Sequence, residues 1–115
     1  MKRVLLAAAG AWGLAQAHHS FGMYDESKIV TVSGTVAEFR WTNPHVVIVV
    51  ETAAGVSWTI ENTSTGNLKR MGWTRHSVVA GETVTVELAP LRDGSHGGSF
   101  LGAKLSDGKV LGEFQ

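Results

Sequence analysis

The chain contains no cysteine among its 115 residues. Disulfides, thiolate zinc sites and iron–sulfur clusters are therefore excluded, and a small exported fold without them must rely on its core. An excess of one charge is missing too, since ten Lys and Arg stand against ten Asp and Glu. With no basic stripe to neutralise phosphates, nucleic acid is not an expected partner. No glycine-rich phosphate loop, nucleophile elbow or Ser-His-Asp order is present, so hydrolase and phosphotransferase chemistry has no visible machinery. Asp25 and Glu26 are the one close acidic pair, and adjacent residues in an extended segment point to opposite sides, which does not make a general acid–base pair. Internal repeats and low-complexity tracts are absent.

What is present begins at the start of the chain. Met1-Lys2-Arg3 is followed by an apolar stretch from Val4 to Leu14 and by Ala15-Gln16-Ala17. A basic start, an apolar core of about ten residues and a small-x-small site predict a cleavable secretory leader over residues 1–17. The apolar run is too short to cross a bilayer as a helix, and nothing later in the chain is long enough. The product is expected in a bacterial periplasm or outside the cell. Cleavage after Ala17 leaves 98 residues with a formal charge of −2, enough for one domain with a modest core.

Residues 18–28 are polar and aperiodic and read as an arm, with the domain proper over 29–115. From Val30 the pattern alternates, with Val30, Val32, Gly34 and Val36 on one parity and Phe39 and Trp41 on the other. The switch around Ala37-Glu38 predicts one long strand that bends at a bulge and serves two sheets. Asn43-Pro44 marks a turn, and His45 to Glu51 reads as a strand buried on both faces. Val56, Trp58 and Ile60 face inward on a third strand, with Ser57, Thr59 and Glu61 outward. Ser64 or Thr65 can cap a short helix to Met71, which Gly72 can end. A fourth strand carries Val84, Val86 and Leu88. Residues 91–99 read as a loop, and Phe100–Leu105 and 109–114 form a hairpin across Ser106-Asp107-Gly108. Three strands, a short helix and further strands, with the first strand long and bent, is the order of an all-β OB-fold, a small Greek-key barrel. The alternative for the same strands is an antiparallel sandwich or open meander.

Three motifs occur together: His18-His19-Ser20-Phe21, then Glu38 to His45 (EFRWTNPH), then Leu68 to Arg75 (LKRMGWTR). In this combination the chain resembles a bacterial family of small exported proteins classed as a domain of unknown function. The resemblance implies an exported β-rich domain and no activity.

The chemistry rests on histidine. Cleavage after Ala17 gives His18 a free α-amino group, with a reference pKa of roughly 7.7 to 8, beside its own imidazole. The two nitrogens can chelate one ion, and nitrogen donors bind Cu(II) most tightly among divalent first-row metals. His18 and His19 together offer up to three nitrogen donors. The copper-binding tripeptide pattern needs histidine at the third position, where Ser20 stands. The arrangement is closer to a histidine brace, in which a second, distant histidine completes the site. His45, fixed behind a proline, is the expected partner, and its alternative use is a hydrogen bond at a turn. Residues 18–29 can stretch over roughly 36 Å, so the two histidines meet only if the arm runs back along the domain.

His96, in a Gly- and Ser-containing loop, is a further candidate ligand, although such loops are more often plain connections. His76 lies beside Arg75, which disfavours a bound cation. Met23 and Met71 offer thioether sulfur suited to Cu(I), with packing as the commoner use. Trp41 and Trp73, at element ends, are candidates for a stacking platform. The leading expectation is thus a periplasmic binding module that holds copper through His18, His19, His45 and His96. A redox enzyme is disfavoured, because 98 residues leave little surface to position a substrate beside the metal. The rival is a non-metal domain that recognises an envelope protein, peptide or glycan through Trp41 and Trp73. An accessory subunit with no ligand of its own is a third possibility.

Overall fold

A computed structural model describes residues 22–115; the leader expected over residues 1–17 and the motif from His18 to Phe21 lie outside the described residues. Six strands and one short helix follow in the order β1 (Val30–Arg40), β2 (Val47–Glu51), β3 (Ser57–Glu61), α1 (Thr65–Arg70), β4 (Thr83–Pro90), β5 (Gly97–Leu105) and β6 (Val110–Gly112). The sheet order is β3-β2-β1-β4-β5-β6, and β3 also pairs with β5. That pairing is parallel, from Thr59 opposite Gly97 to Glu61 opposite Ser99, and it closes a five-stranded barrel. The topology is that of the OB-fold and not of a sandwich.

β1 works as its sequence predicts. Its first half pairs with β4, from Val30 opposite Leu88 to Thr35 opposite Thr83. Its second half pairs with β2, and the register shifts between Val36 and Glu38. The bulge moves the inward parity from Val32 and Val36 to Phe39. Gly34 lies where the strand turns, and a Cβ there would sit 2.2 Å from the Glu51 carbonyl oxygen, so only glycine lets the two strands approach so closely.

Val36, Ile48, Val50, Ile60, Val86 and Leu88 fill the interior, each at most 1% exposed. Burying one such side chain stabilises the fold by about 1.5–3 kcal/mol. At one end, α1 contributes Leu68, and Trp73 packs edge-on against Phe100 at 5.4 Å. Ser64 is the helix cap, accepting from the Asn67 N–H, and Gly72 follows the helix with φ of 91°.

Three sequence expectations need correction. β2 starts at Val47 and alternates, with Ile48 and Val50 buried and Val47 and Val49 half-buried. A closed barrel has one interior, so a strand in it cannot be buried on both faces. β5 starts three residues earlier than expected. Its opening glycines read as loop, but a Cβ on Gly98 would lie 2.1 Å from the Ala89 carbonyl oxygen. Closure therefore needs a residue without a side chain at that position. β6 is also shorter than expected. After Gly112 the tail turns back, where the Gln115 N–H donates to the buried Glu87 carboxylate at 2.6 Å.

Candidate functional site

OB barrels hold ligands on the outer face of β2 and β3, between the β1–β2 and β4–β5 loops. In this chain each of those loops carries a histidine. The β1–β2 loop, residues 41–46, is tied down by tertiary bonds. Asn43 Oδ1 accepts from both the N–H and the hydroxyl of Thr65, at 2.9 and 3.0 Å. The Thr42 hydroxyl donates to the His45 carbonyl at 3.0 Å. Val46, fully buried, exchanges backbone bonds with Thr63 and Asn62. His45 is thereby held at the rim of the barrel.

Its Nδ1 lies 3.1 Å from Glu61 Oε2. The register explains the contact. Val47 stands opposite Glu61, so residue 45 is the diagonal neighbour of Glu61 on the outer face, within reach of a long side chain. A carboxylate on one ring nitrogen orients the imidazole, the way carboxylates orient metal-binding histidines.

The same carboxylate receives the arm. The Tyr24 hydroxyl donates to Glu61, and burial together with the Glu61 charge pushes its pKa up to about 12. Tyr24 bridges to Leu91, the Asp25 N–H donates to the Pro90 carbonyl, and the Arg92 N–H donates to the Met23 carbonyl at 2.8 Å. The described part of the arm, residues 22–28, is thus docked against the end of β4 and the start of the β4–β5 loop. Between the arm and the β4–β5 loop lies a hollow of about 290 Å³, whose lining includes Met23, Tyr24, Glu61, Leu91 and His96.

His96 is exposed, with its ring 5.0 Å from that of Trp58. The loop that carries it, residues 91–96, is organised locally. Asp93 Oδ1 accepts from both the N–H and the hydroxyl of Ser95, which holds the Asp93 carboxyl below its usual pKa. One backbone bond, from Thr59 N–H to the His96 carbonyl at 3.1 Å, roots the loop on β3.

Residues 5–100 match a family of unknown function, DUF6152. The chain belongs to that family. No curated protein matches it. In this DUF6152 domain the structure joins His45 to Glu61 and brings His96 to the hollow that Glu61 also lines. Among the described residues, no three His, Asp or Glu side chains form a group that could hold a metal ion. His18 and His19 lie outside the described residues.

The stacking platform requires correction. Trp73 is only 5% exposed and is spent on the core, because the chain leaving α1 folds its ring beneath the barrel end. Trp41 is half-buried, 6.0 Å from Phe39 in a tilted pair. The two indoles therefore do not offer a shared open face. Met71 is 65% exposed and does not pack, and His76 is exposed, as its position beside Arg75 suggests. Arg40 pairs with Glu38 at 2.9 Å on the surface.

Tyr24 and Glu61 are the residues that sequence reasoning did not single out. Glu61 carried one signal: its outward parity at the end of the third strand. Tyr24 carried none, because its contact depends on the path of the arm.

Proposed function

We propose that this DUF6152 domain is an exported copper-binding module, in which the amino-terminal nitrogens and imidazole of His18, after removal of residues 1–17, hold Cu(II) together with His45. The observation that carries the reading is the docking of the arm through Tyr24 onto Glu61, the carboxylate that also orients His45. Tyr24 lies six positions after His18, a span of at most roughly 20 Å, so the docked arm keeps the chain start within range of His45. His19 supplies an additional imidazole beside the chelate. Such a site suits carriage or buffering of the ion, because the small barrel has little room to seat a substrate next to it.

Calorimetric titration with Cu(II) tests the reading on three forms of the protein: one beginning at His18, one with a single residue added before His18, and His45→Ala. The added residue locks the amine in a peptide bond, and binding is expected to weaken sharply. It is expected to weaken in His45→Ala as well. Glu61→Gln, which leaves the shape but removes the orienting charge, is expected to lose about 10–100-fold in affinity. Equal affinity in all forms overturns the proposal. So does a mature mass that places the first residue anywhere but His18.

A further inference from the structure

The hollow between the arm and the β4–β5 loop has a donor set of a different kind from the amine and imidazoles assigned above. Met23 brings a thioether and His96 an imidazole to one space of about 290 Å³. Both positions are set by the fold. Met23 is held by the backbone bond from Arg92 and by the Tyr24 bridge to Leu91 that follows it. His96 is held by the bond from the Thr59 N–H and by the Asp93–Ser95 turn before it. Behind His96 lies the Trp58 ring, outside the lining of the hollow itself and tilted 52° against the imidazole at 5.0 Å.

The chemistry of these groups selects among ions. A hard dication such as Mg²⁺ or Ca²⁺ needs six or more oxygen ligands. The hollow offers one carboxylate, Glu61, already shared by Tyr24 and His45. Thioether sulfur favours Cu(I) over divalent zinc or copper, and an indole face attracts a cation of low hydration. The remaining wall is made by Tyr24, Thr59, Leu91, Ser95, Gly97 and Gly98, none of which brings a second carboxylate.

We infer that this hollow is a soft-cation subsite, in which Met23 and His96 bind a monovalent closed-shell ion, Cu(I) or its analogue Ag(I), beside the Trp58 ring. It extends the copper reading to the reduced ion and does not depend on where the mature chain starts. No electron transfer is part of it, because the ion enters already monovalent.

Ag(I), which does not change oxidation state in air, is the probe, added to full-length mature protein in which both His18 and His19 are replaced by alanine. With the tail imidazoles gone, one ion per chain is expected to bind and to shift the Met23 methyl and His96 ring resonances together, with quenching of tryptophan fluorescence that Trp58→Phe diminishes. Met23→Leu, which conserves volume, and His96→Ala, on an exposed loop, are each expected to weaken binding by about tenfold or more. Circular dichroism checks that both variants fold. Silver that leaves either resonance unmoved, or that binds folded Met23→Leu as it binds the parent, overturns the inference. A protein with one residue added before His18 separates the two sites, because it is expected to lose tight Cu(II) binding and to keep its affinity for Ag(I).

Discussion

The two loops that flank the outer face of β2 and β3 each present a histidine, yet they are built in opposite ways. The β1–β2 loop is held from outside itself, by Thr65, Thr63 and Asn62, and by burial of Val46. The β4–β5 loop is held mostly from within, by the turn at Asp93 and Ser95, with glycines at its exit. His45 is therefore part of the architecture, whereas His96 rides on a local turn. Substitution of His96 is expected to cost the fold little, and changes around His45 are expected to register in stability first.

The sharpest way to break the contrast is at the root of the β4–β5 loop. Gly98→Ala places a methyl group against the Ala89 carbonyl oxygen and the Leu88 side chain. It is expected to destabilise the domain by about 3 kcal/mol, read as a lower urea midpoint. An unchanged midpoint would show that the closure does not need glycine there.

The next test sets one loop against the other. Asn43→Ala removes two hydrogen bonds that link the β1–β2 loop to the start of α1, and a loss of about 1–2 kcal/mol is expected. Asp93→Ala removes two bonds of the same kind inside the other loop, and a loss of about 0.5 kcal/mol or less is expected, as for most surface changes. Equal losses in urea unfolding would erase the distinction drawn between the loops.

The smallest effect sharpens the contact that reaches both histidines. Tyr24 is the single tyrosine of the chain, so ultraviolet absorbance follows its ionisation alone. The midpoint is expected near 12, against 10.0 for an ordinary tyrosine. Glu61→Gln removes the nearby charge and is expected to bring the midpoint part of the way back. A folded-state pKa above the unfolded one means that the neutral phenol stabilises the fold. That contribution is complete below pH 10 and disappears as the pH rises from 10 towards 12.

Much of the barrel was legible in the sequence because parity is a local signal. The change of phase at Ala37-Glu38 announced the bulge, and the inward set on β3 followed from alternation alone. Gly97 and Gly98 misled, since glycine reads as loop wherever propensity is the guide, and only the proximity of β4 and β3 explains why a strand starts there. Trp73 misled for a related reason: an indole at the end of an element can stack on a ligand or plug a core, and its path after α1 decides which. Of the candidate site, His45 was legible through the turn that precedes it. The link from Tyr24 to Glu61 was not, because it joins residues far apart in sequence through an arm with no periodic pattern.

The arm leaves the ribosome first, yet its berth beside Leu91 and Arg92 does not exist until β4 and the following loop have been made. Met23, Tyr24 and Asp25 therefore reach their docked position only once the end of β4 and the loop after it are in place. Docking of Tyr24 beside Leu91 thereby becomes a late event of folding, one that follows closure of the strands it rests on.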